Sequence, residues 1–326
     1  MTSSVRQQRG AALLTVLLLV ATLSVLMIGM TEVLSRSTRQ AALAATRDQA
    51  FWILYGVEGA ALDFLEQRAS TPGVPVTALF AQPITIPTEF GVATIAFRDG
   101  TNCFNVNSLV LADDNGQRFN ADAAEQFSFL ANALGTDRTT GRVLAARIAD
   151  FIDTNNNAES ASFEDYDYQR RTVPYRAPGR ALRSISELRA IEGFTQEVFL
   201  ALAPHLCAAG LGGEQTLNVN TLGAADYPLI AAMTRDGVPP RVFETVLRNR
   251  RQRGFENVEE FLKRAGLENV GGVEDSDVAA VFGDQSTRLH MTITVVAPMG
   301  RLSMTSTLDR QNGTLSVVER RLGQAL

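Results

Sequence analysis

The chain has 326 residues, 45% hydrophobic and 20% charged, with a net charge of −5. That is enough for about two or three compact units of ordinary globular composition. A mildly acidic balance with no long run of one sign argues against a protein that coats nucleic acid.

The first element is the strongest signal. Arg6 and Arg9 precede Gly10, after which an uncharged run, AALLTVLLLVATLSVLMIGM, continues to Met30 before the next charge at Glu32. About 20 uncharged residues match the hydrocarbon thickness of a bilayer. Positive charge on the N-terminal side places that end in the cytoplasm and everything after Glu32 across the membrane. A cleaved secretory signal is the competing reading, with AALAAT from Ala41 as the cut. The apolar region of such signals is usually shorter, at ~7–15 residues.

The helical pattern continues beyond the apolar run. Ala42, Ala45, Phe51, Ile53, Leu54, Val57, Ala61, Phe64 and Leu65 recur at spacings of three and four, so one long helix leaves the bilayer and lays its far half on a folded domain. STPGVP (Ser70 to Pro75) ends it. PITIPTEF and GVATIAFRD then alternate as strands, followed by CFNVNSLV. From Asp122 to about Leu206 the period is helical, and more helices follow LNVNTLGA as far as Gly266. The tail, RLHMTITVVAPMGRLSMTSTLDR and GTLSVVERR, alternates again. The order of long helix, strands, helical block and strands describes a helical domain inserted into an α+β domain whose sheet the C-terminus completes. NVNSL at Asn105 recurs as NVNTL at Asn218; each reads as an extended pair followed by a helix cap, and together they suggest two lobes.

Several constellations could carry chemistry. Asp153, Asn155, Asn157 and Glu164 stand at positions one, three, five and twelve of a calcium-type loop. Ala158 replaces the turn glycine at position six, and Asp165 and Asp167 follow directly. The spacing alone fits either a cation or a solvated acidic loop. Cys103 and Cys207 both fall in the translocated part, where an even count fits one disulfide; two buried thiols are the alternative. SISELRAIEGF resembles half of a helix-hairpin-helix DNA element, but Glu192, Gln196 and Glu197 make it hostile to a phosphodiester. RNRRQR (Arg248 to Arg253) reads as a solvated basic face. His205 and His290 have no ligand-spaced partner, and the sequence holds no nucleophile elbow, phosphate loop or dinucleotide fingerprint. An enzyme is not expected.

A short basic leader ending in Gly10, then a small residue, then a helix running into an α+β head resembles type IV pilins and type II secretion pseudopilins. Thr15 departs from the glutamate that most of them carry at this fifth mature position. CFNVNSLV, ADFIDTNNNAESASFEDYDY, YRAPGRALRSISELRAIEGF, ALAPHLCAAG and LNVNT resemble, in order, segments of the K-type minor pseudopilins of the type II secretion system. The resemblance implies an α+β fold: a long N-terminal membrane-spanning helix and a pseudopilin-like antiparallel sheet with a large inserted all-helical domain. It implies a leader at 1–10, a transmembrane helix at 11–33, the pseudopilin helix and first strands at 34–120, a two-lobed insert at 121–284 and C-terminal strands at 285–326. It further implies prepilin-peptidase cleavage between Gly10 and Ala11, methylation of Ala11, and structural calcium held by Asp153, Asn155, Asn157, Glu164, Asp165 and Asp167. The partners implied are the I-type and J-type minor pseudopilins, the inner-membrane secretion platform and the peptidase, with no nucleic acid and no small-molecule substrate. The location implied is the bacterial inner membrane, single pass, with the main domain periplasmic, and the role is that of a tip subunit. The rival reading is a membrane-anchored DNA-uptake or type IV pilus tip protein that binds DNA through helix-hairpin-helix-like lobes.

Overall fold

A computed structural model describes residues 4–69, 80, 82–89, 91–113, 116–154, 168–170, 173–210, 216–251, 254–267, 279–297, 300–311 and 314–323. Helix α1, Ser4–Ala69, contains no proline over its 66 residues and is therefore about 100 Å long. Residues 13–44 of it are all exposed. From Ala50 onward one face is buried, through Ala50, Leu54, Val57, Ala61 and Leu65, a stripe at helical spacing.

That stripe lies on a five-stranded sheet of order β1-β2-β9-β10-β11. The strands are β1 (Ile84–Thr88), β2 (Gly91–Asp99), β9 (Arg288–Ala297), β10 (Gly300–Gln311) and β11 (Thr314–Leu322). All four pairings are antiparallel. Alternation decides the buried face: Ala93, Ile95 and Phe97 of β2 point to the helix with Leu289, Met291, Ile293 and Val295 of β9 and Met304 and Leu308 of β10. The register sets Ile95 against Ile293 and Ile293 against Met304, so the apolar rows align across strands. Two polar groups break this core. Ser306 lies between Met304 and Leu308 on the same face, and Glu58 lies on the buried stripe of α1.

The described residues between Asp99 and Arg288 form the insert. β3 (Phe104–Asn105) pairs in parallel with β6 (Leu206–Cys207), and β7 (Leu217–Asn218) in parallel with β8 (Phe282–Gly283). β4 (Val110–Asp113) and β5 (Gly116–Phe119) make a hairpin. Helices α2 (Ala121–Ala133) and α3 (Arg138–Ile152) start at Asn120 and Asp137, whose side chains accept from backbone amides in the first turn, as N-caps do. The two helices cross closely because Gly141 has no side chain: a Cβ there would lie 3.0 Å from both Ser128 Cα and Ala131 Cβ. The shorter helices α4 (Gln196–Leu202), α5 (Tyr227–Met233), α6 (Pro240–Arg248) and α7 (Val258–Ala265) complete the insert. One continuous hydrophobic core joins its two halves.

The insert begins earlier than residue 121. Phe104, Val106, Leu109 and Val110 are completely buried in its core, because the chain leaves the sheet at Gly100 and CFNVNSLV packs under α2 and α3 instead of extending a strand. Nor is the insert purely helical: three short two-stranded ladders tie its loops together. ISELRA, with a helical period in the sequence, forms a 3-10 turn opened by a Ser184–Glu187 capping box. The C-terminal strands begin at Arg288.

Candidate functional site

Gly10 and Ala11 lie in the first turns of α1, and Thr15 is on the same helix with its side chain exposed. This helix is long and apolar enough to cross a membrane, and none of its most apolar stretch is buried by the rest of the chain. Its polar side chains are handled locally. Thr22, Ser24 and Thr31 donate to the carbonyls of Leu19, Val20 and Met27 at 2.9, 2.8 and 2.8 Å, which satisfies hydroxyls that lipid cannot. The apolar surface from Leu13 to Leu34 is built to meet lipid or other helices.

The two NVN segments occupy equivalent positions. In the first, Asn105 Oδ1 accepts from the amides of Asn107 and Ala209 at 3.1 and 2.9 Å. Asn107 clamps Leu182 through both amide atoms: its Nδ2 donates to the Leu182 carbonyl at 2.9 Å, and its Oδ1 accepts from the Leu182 amide at 2.8 Å. In the second, Asn218 Oδ1 accepts from Asn220 N at 3.0 Å. Asn220 holds Phe255 N at 2.7 Å and the Asp284 carbonyl at 3.1 Å. Each segment thus leads from a short parallel ladder into a turn whose second asparagine clamps a distant loop. Beside the first clamp, Cys103 and Cys207 are joined in a disulfide with a Cα–Cα distance of 5.7 Å.

Of the six expected calcium ligands, the structure describes Asp153; Asn155, Asn157, Glu164, Asp165 and Asp167 lie outside the described residues. Asp153 caps α3 at its C-terminus and is buried, as is Asp150 one turn earlier. Two carboxylates at the negative end of a helix are disfavoured by its dipole, a setting suited to a cation. The far end of the loop returns to the same place: Tyr168 is buried and its ring meets Phe151 edge-on at 5.5 Å. Among the described residues no three His, Cys, Asp or Glu side chains group as a metal site.

Within the basic segment Arg248 and Arg251 are exposed, as its composition suggests, and Arg250 is the exception. Arg250 is half-buried, with Nη1 donating to the Leu222 carbonyl at 2.8 Å, and burial lowers its pKa. Arg251 pairs with Glu256 at 2.5 Å. Burial also lowers the pKa of both histidines. For His290 in β9 the nearby Arg288, Arg98 and Arg321 push it further down, with Asp309 opposing; for His205 Arg98 adds to the burial, and Asp226 opposes.

A half-buried ion pair joins two elements that no sequence spacing connects. Arg320 of β11 donates through Nε to both Glu58 oxygens, at 3.1 and 2.9 Å, and Ser306 donates to Oε1. Ser306 and Arg320 are cross-strand partners, so the last two strands together grip the helix. The available signal was an acid at the fourth residue after Leu54 on an otherwise apolar stripe.

A membrane-length helix whose far half packs on an antiparallel sheet is the architecture shared by type IV pilins and type II secretion pseudopilins. The family models for type II secretion system (T2SS) protein K match residues 102–210 and 217–281, dividing the insert between the two clamps. The chain belongs to the type II secretion system protein K family, and it is a minor pseudopilin of that system. It is 30% identical to type II secretion system protein K of Klebsiella pneumoniae over 97% of both chains. It is 29% identical to that of Pseudomonas aeruginosa over 98% of this chain and 94% of the other. Its fold matches a chain of the crystal structure of the GspK-GspI-GspJ complex from enterotoxigenic Escherichia coli with a TM-score of 0.75, at 24% identity, over 88% of this chain and 100% of that one. The family is one of structural pseudopilins, and the DNA-binding alternative is not favoured.

Proposed function

We propose that this chain caps the type II secretion pseudopilus, joined to the I-type and J-type minor pseudopilins, and primes the filament that exports folded proteins across the outer membrane. Thr15 carries the proposal. In a filament a carboxylate at this position would meet the free amine of the subunit ahead. A tip subunit has none ahead, and an unpaired carboxylate in the bilayer costs ~2.5–3.5 kcal/mol by insertion scales. A relative of the same fold is found with two other proteins in the GspK-GspI-GspJ complex, which supports the choice of partners. Prepilin peptidase cuts after Gly10 and Ala11 is methylated. The N-terminus begins in the cytoplasm, α1 crosses the inner membrane once, and the sheet and insert stand in the periplasm. Calcium folds the loop that starts at Asp153, where buried carboxylates at a helix C-terminus favour a cation. The test is co-purification of the full chain with tagged I-type and J-type subunits from detergent-solubilised membranes. Recovery of all three together is the expected result, and recovery of this chain alone under conditions that keep the other two paired would overturn the proposal.

A further inference from the structure

The insert hangs on the sheet by two chain crossings, residues 100–103 leaving β2 and residues 284–287 entering β9. Such a joint could swivel, but here it is cross-linked. Gly100 N donates to the Arg288 carbonyl at 2.9 Å. Thr101 Oγ accepts from the amides of Thr287 and Arg288 at 3.1 and 3.3 Å. A Cβ on Gly100 would lie 2.7 Å from His290 Nε2 and 2.8 Å from Arg288 Cγ, so the side chains of β9 close over the outgoing crossing.

At the centre is Asp99, the last residue of β2. Its Oδ1 accepts from Thr101 N at 2.8 Å. Its Oδ2 accepts from Thr221 Oγ at 2.5 Å, Ser286 Oγ at 2.6 Å and Asn218 Nδ2 at 3.0 Å. The donors come from three places: the outgoing crossing, the return crossing and the second lobe of the insert. They are also linked to one another. Asn218 donates to Ser286 Oγ at 2.9 Å, and Asn102 Nδ2 donates to Thr221 Oγ at 2.8 Å while its Oδ1 accepts from Asn218 N at 2.7 Å. Four hydrogen bonds to one carboxylate converge at the two chain crossings, while away from them Arg321 of β11 donates to the Arg183 carbonyl of the insert at 3.0 Å.

We propose that the Asp99 carboxylate is a latch that sets the bearing of the inserted domain on the pseudopilin sheet, turning a two-strand hinge into a rigid joint. Each domain has its own hydrophobic core, so loss of the latch frees their relative orientation and leaves both folded. The proposal stands whether or not the chain caps a filament.

The test is a pair of electron-spin distance measurements on the full chain in detergent, with the native disulfide kept oxidised. One label pair spans the joint, at exposed Val92 of β2 and exposed Leu200 of α4; the other stays within the insert, at Leu200 and exposed Glu259 of α7. Both pairs should give one narrow distribution in the parent protein. With Asp99→Ala the spanning distribution should broaden or split while the internal one is unchanged. The double variant Thr221→Val, Ser286→Ala keeps Asp99, removes two donors and should act the same way. If the spanning distance keeps the parent width in both variants, Asp99 is not a latch. If the internal distance broadens equally, or if Asp99→Ala does not fold and the double variant keeps the parent spanning width, Asp99 serves the folding of the insert and the proposal is wrong.

Discussion

Replacing Arg320 with alanine should destabilise the pseudopilin core more than any other change on the exposed side of β11. The Glu58 side chain is only 4% exposed and that of Arg320 40%. Removing the guanidinium leaves a buried carboxylate with the Ser306 hydroxyl as its remaining donor from the sheet. Breaking a fully buried pair costs about 3–5 kcal/mol. Because Arg320 is partly solvated, the cost falls below that range, at about 2–3 kcal/mol. Loss of the guanidinium from the Tyr55 ring, 5.3 Å away, adds ~0.5–1 kcal/mol. Replacing both partners by apolar residues of similar size, Glu58→Met with Arg320→Met, should recover most of this, since the stranded charge is gone. Urea unfolding of the full chain in detergent reads both effects through the single tryptophan, Trp52, whose ring lies 6.3 Å from that of Tyr55. An Arg320→Ala variant within experimental error of the parent, or a double variant as unstable as the single, would refute the reasoning.

A bulky residue at Gly10 should leave an uncleaved precursor in the membrane and stop secretion; a mature-sized band from that variant contradicts processing at this site. Joining Cys103 to Cys207, 104 residues apart, restricts the unfolded chain by ~4–5 kcal/mol in the entropy model, so Cys103→Ser with Cys207→Ser should lower the urea midpoint clearly; an unchanged midpoint refutes this. Chelator should lower the melting temperature of the wild-type protein, and calcium should restore it more fully than magnesium, whose tight octahedral preference suits a long amide-rich loop poorly. At a hundredfold excess over Kd the calcium gain is ~2.7 kcal/mol. Asp153→Ala with Glu164→Ala should abolish the response and leave processing after Gly10 intact; the same melting temperature in chelator and in millimolar calcium refutes the site.

Those elements whose physics is local could be read from the sequence. The apolar run and the three-and-four spacing after it describe α1 because both depend on composition and period alone. The alternation in GVATIAFRD and RLHMTITVV gives strands for the same reason, and the sheet they form is the one the tail completes. What was not legible depends on distant partners. CFNVNSLV falls within the 34–120 segment expected for the main domain, and only the core it enters, with α2 and α3, assigns it to the insert. Arg250 reads as a surface charge until the carbonyls of Val219 and Leu222 are placed beside it. Glu58 and Arg320 are 262 residues apart, and no spacing rule connects them. The repeated NVN was visible, but its work was not: the second asparagine of each copy clamps a loop tens of residues away.

Whether this subunit stands at the filament tip is decided by raising pseudopili in cells, isolating them and marking the insert with a gold-conjugated antibody. A tip subunit gives one mark at a single end of each filament, with none along the shaft. Marks spaced along the shaft would contradict a tip position, because a subunit with Thr15 in place of a carboxylate would then be serving in the interior.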